Sequence, residues 1–205
     1  MSALLLFSGV ALLTTLSPGP AVLFTIHNTL TAGARAAWRG ALGNATGLLL
    51  VAAAGFAGVS VLLSQSVLAF TVLKVAGSAY LIYLAFHQWR QARDLTALTV
   101  AVAPAKKRLY WQGVLVALTN PKAWLFISAL LPQFLDVTQP ITQQFALLAL
   151  VFAASSLLSH ACWLSLARYG LARGPLVKHR QLLARLQAVV LALIGGSLWW
   201  TPLPV

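Results

Sequence analysis

The sequence predicts an all-α, polytopic membrane protein with six crossings, and three observations lead there. Of its 205 residues 60% are apolar and only 8% charged, against about 25% charged in an ordinary soluble domain. Mean hydropathy is +0.87, so lipid or other side chains must surround most residues. Charge-free runs recur near the length of about 20 residues that a helix needs to cross a bilayer core. Finally, 14 Lys and Arg stand against two acids, Asp94 and Asp136, and the bases gather in alternate connections. This composition excludes a soluble enzyme, a disordered chain and a disulfide scaffold. Cys162, the one cysteine, permits neither an internal disulfide nor a thiolate metal cluster.

The first span runs from Met1 to Ala34. It opens Ser2-Ala3-Leu4-Leu5, without the basic segment or cleavage site of a secretory signal, and is expected to be retained. The stretch 40–87 carries one charge, Lys74, and is about twice what one helix needs. Ser64-Gln65-Ser66 divides it into a second span over 41–63 and a third over 67–87. The fourth, over 110–135, contains Lys122 and ends near Pro132 and Asp136. The fifth covers 142–167 and the sixth 183–200. Residues 1–88 thus form one three-span unit, 89–109 a linker and 110–205 a second unit.

Arg35 and Arg39 lie between spans one and two. Arg90, Arg93, Lys106, Lys107 and Arg108 lie between three and four, and Arg168, Arg173, Lys178, Arg180 and Arg185 flank the last connection. The positive-inside rule places the loops 27–40, 88–109 and 168–185 in the cytoplasm and both termini on the opposite side. Trp38, Trp89, Tyr110, Trp111 and Tyr169 sit beside the basic loops, while Trp199 and Trp200 mark the other interface. The basic excess is therefore a topology signal, and no nucleic-acid partner is expected.

Some positions are not explained by spanning. Ser17-Pro18-Gly19-Pro20 must open the first helix, because each proline removes a backbone donor. Such an opening survives in lipid only where protein or water satisfies the freed groups. The half-helix after Pro20 would present free N–H groups suited to a carboxylate, although a kink also serves packing alone. Asn120-Pro121-Lys122-Ala123 repeats the pattern half a chain later. Each break opens a three-span half, and an odd number of spans inverts the second half. Two inverted repeats with broken helices one and four, meeting at the membrane midplane, are the expected architecture. Lys74 and Lys122 both approach that depth, where a lysine costs about 2.5 to 3.5 kcal/mol. No acid is near either, so the lysines meet backbone carbonyls or an anion brought by a ligand, or are neutralised, unless they snorkel to an interface.

Gly43 and Gly47 lie on a smooth face of the second span that admits a close neighbour. Asn44 beside them either bonds across helices or meets a ligand. Lys74, Gly77 and Ser78 share a face of the third span, with Gly77 a further packing position. His160 is an ionisable residue within the fifth span, and the alternative for it is a satisfied core histidine. No set of metal ligands is present, and neither a metal nor another cofactor is expected.

With Ser17-Pro18-Gly19-Pro20, Gly43-Asn44 followed by Gly47, Leu73-Lys74-Val75-Ala76-Gly77 leading to Tyr80-Leu81, and Asn120-Pro121-Lys122-Ala123 leading to Pro132-Gln133-Phe134, the chain resembles the LysE/RhtB family of amino-acid exporters. The resemblance implies a bacterial inner-membrane exporter of amino acids or their derivatives, driven by ion gradients, in which the termini placed outside by the positive-inside rule would be periplasmic. A zwitterionic amino acid would offer the carboxylate that Lys74, Lys122 and the broken-helix N-termini lack. Its ammonium would turn to the opened backbone around Ser17 to Gly19 and to Asn44 or Asn120, and Pro18, Pro20 and Pro121, which make the breaks, complete the expected substrate site. With no buried acid for a second positive charge, neutral amino acids are expected over lysine or arginine. Protons would couple through Lys74, His160 or Asp136, with Lys74 charging as the carboxylate arrives. The sequence leaves a homo-oligomer open. An enzyme would need a nucleophile with its base, which the spans do not supply. A membrane scaffold without transport is the remaining alternative.

Overall fold

A computed structural model describes residues 2–17, 19–65, 108–136 and 138–169, and singly or in pairs 75, 78–79, 82–83, 85–86, 89–90, 185, 188–189, 192–193 and 196. Every regular element among them is helical: α1 (Ser2–Leu16), α2 (Pro20–Ala32), α3 (Ala34–Gln65), α4 (Leu109–Leu118), α5 (Pro121–Leu125) and α6 (Ile141–Arg168). After α5 the chain continues as a π turn, Phe126–Leu130, and a 3-10 turn, Leu131–Phe134. Helices α3 and α6 are each long and apolar enough to cross a membrane. The α1–α2 pair and the pair formed by α4 with Pro121–Phe134 reach the same standard if each bent pair is one span. This is a multi-pass membrane protein. Most of the third and sixth predicted spans, with Lys74 and Gly77, lies outside the described residues.

Both predicted breaks are present. The chain bends by 55° between α1 and α2 and by 53° between α4 and the segment Pro121–Phe134. At each, proline takes the first helical position, where its missing N–H removes nothing and its fixed φ suits the helix. Gly19 precedes the first in extended backbone. Asn120 caps the second, its Oδ1 accepting from Lys122 N at 3.1 Å.

The segment 27–40, expected as a loop, is helical except at Gly33. Helix α2 runs to Ala32 and α3 begins at Ala34, well before residue 41. Gly33 joins them at φ 87°, a conformation open to glycine without steric cost. The physical reason is that basic residues mark a side of the membrane, not the end of a helix. Arg35 and Arg39 are exposed on the first turns of α3. At its other end α3 runs through Ser64 to Gln65, the predicted turn.

The closest packing is between α3 and α4. A Cβ on Gly43 would collide with the Tyr110 carbonyl, and one on Gly113 with the Gly40 carbonyl. One on Gly47 would come within 2.6 Å of Ala117 Cβ. Tyr110 also donates its hydroxyl to Thr46 Oγ1 at 2.9 Å. The apolar core joins Phe7 and Ala11 of α1, Leu48 and Val51 of α3, Phe126, Ile127, Leu130 and Leu131 after α5, and Phe145, Leu148, Ala149 and Phe152 of α6. Phe126 stacks on Phe152 with ring centroids 4.2 Å apart. Leu5, Leu42, Leu50, Leu115, Leu150 and Leu158 are exposed, the surface that acyl chains solvate.

Candidate substrate cavity

Opening a helix leaves its last carbonyls and the next helix's first N–H groups without intrahelical partners. At the first break α6 takes the carbonyls. Ser159 Oγ donates to Thr15 O at 2.7 Å, and Trp163 Nε1 to Leu16 O at 3.1 Å. Thr15 Oγ1 returns a bond to Ser155 O at 3.2 Å. At the second break Trp124 Nε1 donates to Leu118 O at 2.7 Å. The N-terminus of α2 is different. Among the described residues no side-chain cap is made at Gly19, and Leu23 N closes on Gly19 O, so Ala21 and Val22 keep N–H groups without intrahelical partners.

Ala21 and Val22 line a cavity of about 40 Å³. Ser17 and Gly19 reach it from the first break, Asn120 and Lys122 from the second, Asn44 from α3, and Ser156 and His160 from α6. Its volume suits a few waters at about 10 to 15 Å³ each and is far below the roughly 300 to 1,000 Å³ of small-molecule sites. No carboxylate is among its lining residues. Lys122 is half-buried, and it brings a cation to a wall otherwise made of hydroxyls, amides and apolar groups.

One wall is a hydrogen-bonded chain across three helices. His160, 2% exposed, lies with Nδ1 2.7 Å from Thr25 Oγ1 and Nε2 3.1 Å from Asn44 Nδ2. Asn44 Nδ2 also donates to Ser156 Oγ at 3.2 Å. Thr25 Oγ1 lies 3.2 Å from Ala21 O in the turn before it. Asn44 is itself 2% exposed, yet its Oδ1 has no hydrogen-bond partner.

Of the residues singled out from sequence, Ser17, Gly19, Asn44, Asn120, Lys122 and His160 meet at this cavity. Pro20 and Pro121 are exposed at the helix starts beside it. Pro18 and Lys74 lie outside the described residues. Asp136 is exposed in the turn before α6, where its carboxylate accepts from Thr138 Oγ1 at 2.6 Å and Thr138 N at 2.9 Å. Those bonds, the hydroxyl's first, hold it below its ordinary value. Cys162, two residues past His160, is exposed. Sequence reasoning passed over Thr14, Thr15, Thr25 and Ser156, all of which contribute to the cavity or its wall. The signal for Ser156 was its i, i+4 spacing from His160, which puts both on one face of α6.

The sequence profile described as the LysE type translocator matches residues 12–200. The chain belongs to the LysE translocator family. The family's description is that of a translocator. It is 39% identical over 136 residues to the homoserine/homoserine lactone efflux protein of Salmonella typhimurium, a match covering 66% of each chain. It is 32% identical to the membrane protein YrhP of Bacillus subtilis, covering 77% of this chain and 80% of that one. The leucine efflux protein of Salmonella choleraesuis is 31% identical, over 64% of this LysE-family chain and 63% of its own. The chain thus spans just under two thirds of the length of the efflux proteins it matches. No solved structure matches it.

Proposed function

We propose that this LysE-family translocator exports neutral amino acids or close derivatives, of the homoserine, threonine or leucine kind, from a bacterial cytoplasm by proton-coupled alternating access. The observation that carries this reading is the cavity in which both helix breaks, one lysine and an unpaired amide oxygen converge without a carboxylate. A zwitterion complements that wall. Its carboxylate suits Lys122 Nζ and the N–H groups of Ala21 and Val22, where the α2 dipole adds attraction. Its ammonium suits Asn44 Oδ1 and nearby hydroxyl oxygens. A second cationic group would find Lys122 and no acid, which disfavours lysine and arginine. The efflux of homoserine and of leucine named for its relatives agrees with this substrate class.

The two breaks sit at corresponding places half a chain apart and bend by 55° and 53°, which supports two inverted three-span repeats of six crossings in all. Rocking of one repeat against the other would enlarge the cavity and expose it to each side in turn. The basic connections mark the cytoplasmic face, with both termini periplasmic.

Counterflow in liposomes holding the purified protein tests the proposal. Labelled L-homoserine and L-leucine should exchange, with arginine several-fold slower. Preference for arginine, or exchange of none of the three, would overturn it.

A further inference from the structure

The bonding around His160 fixes more than a position. A ring nitrogen that accepts from an amide NH2 carries no proton, so with Asn44 Nδ2 at 3.1 Å from Nε2 the ring proton sits on Nδ1. There it is donated to Thr25 Oγ1 at 2.7 Å, while the Thr25 hydroxyl donates to Ala21 O at 3.2 Å. This chain of donors is complete for a neutral imidazole. An imidazolium has two N–H donors and no acceptor. Its Nδ1–H keeps Thr25, but its Nε2–H meets the Asn44 amino group, donor against donor. Half a turn of the amide removes the conflict. Oδ1 then accepts from Nε2–H and from the Ser156 hydroxyl, and the amino group takes the place where Oδ1 stood.

We infer that Asn44 couples proton to substrate: with His160 neutral its Oδ1 is a free acceptor for the ammonium of an amino acid, and with His160 protonated that acceptor is withdrawn and a donor replaces it. This deepens the export reading and rests on it. Proton and ammonium compete for one oxygen. On the acidic outer side the Nε2 lone pair takes a proton, the amide turns and the amino acid leaves. On the alkaline inner side the proton departs and the acceptor returns. One proton enters for each amino acid that leaves, which is the direction export requires.

The other titratable groups around His160 modify this exchange without replacing it. Lys122 shares the cavity wall. His27 lies two residues past Thr25 on α2, Arg35 and Arg39 are exposed on the first turns of α3, and Cys162 and Arg168 are exposed on α6 itself. Helix α1 carries no titratable side chain.

The experiment is homoserine counterflow at a series of pH values, equal on both sides of the liposome, with the full chain. Loss of all homoserine and leucine exchange in the wild type refutes the export reading itself. Given exchange, the half-saturation concentration of the wild type should rise as the pH falls, approaching tenfold per pH unit once the pH lies below the ring's own pKa. In His160→Gln, whatever rate it keeps, that concentration should not vary with pH, and a pH gradient should no longer drive accumulation on the acidic side. A His160→Gln protein with the wild-type pH profile and gradient-driven accumulation overturns the inference. Should that variant fail to fold or exchange, ¹⁵N-histidine NMR of the wild type decides. Saturating homoserine must convert the His160 ring from imidazolium to the neutral Nδ1–H tautomer at acid pH, and a ring indifferent to homoserine sinks the proposal.

Discussion

Ser159 donates its hydroxyl to the carbonyl of Thr15 across 2.7 Å, tying α6 to the open end of α1. A carbonyl freed by a helix break within a membrane protein has no bulk water to turn to. Ser159→Ala should therefore lower stability by about 1 to 2 kcal/mol, and Trp163→Phe by a similar amount through Leu16 O. Thermal unfolding in detergent measures both. An unchanged midpoint in the two variants would show that the break is satisfied in some other way.

Substitutions at two glycines of α3 should separate packing from helix propensity. Gly43→Ala pushes a methyl into the Tyr110 carbonyl, whereas nothing lies within 4 Å of a Cβ on Gly58. The first should cost about 1 to 3 kcal/mol. The second should be neutral or favourable by up to about 1 kcal/mol, since alanine prefers helix. Yield and unfolding temperature of the two proteins, compared side by side, provide the check.

Lys122→Met removes the cation from the cavity and keeps the length of the chain. A lost charged hydrogen bond of about 1.5 to 3 kcal/mol corresponds to homoserine binding weakened roughly 10- to 150-fold. The variant should fold at least as well as the wild type, because it no longer desolvates a charge. Counterflow against homoserine concentration, beside an unfolding curve, reads both effects. Full affinity in the methionine variant would remove Lys122 from the site.

Asp136 is one of two aspartates in the chain, so carboxyl NMR of ¹³C-aspartate protein is simple to read. Its carboxylate is held below the ordinary value by the Thr138 hydroxyl first and the Thr138 N–H second. Thr138→Val should move its titration upward. What this turn adds to stability is present above the ordinary carboxylate range and is lost as pH falls through the depressed value. Transport by Asp136→Asn should match the wild type, since the residue is exposed in a turn away from the cavity.

The two breaks were legible in sequence because proline's missing donor and fixed φ act locally. The second and fifth spans were legible because uninterrupted apolar length is itself a structural demand. The α2–α3 corner was not, since one glycine at φ 87° suffices to turn the chain and isolated glycines are common in membrane helices. Nor was the π turn over Phe126–Leu130, whose residues are ordinary helix formers. At the cavity, Lys122, Asn44 and His160 drew attention as costly groups in lipid. Thr25 and Ser156 did not, because a hydroxyl in a membrane helix can bond its own preceding turn and needs no further reason to be there. Only the fold shows Thr25 meeting the ring of His160 and Ser156 meeting the Asn44 amide beside it.

Cys162, the single sulfur nucleophile of the chain, is exposed on α6 while His160, two positions earlier, is buried. A spin label or fluorophore attached there rides on the helix that carries the ring and stays clear of the cavity. The natural sequence is thereby ready for spectroscopy: movements of α6 during a transport cycle can be timed without first building a cysteine-free background.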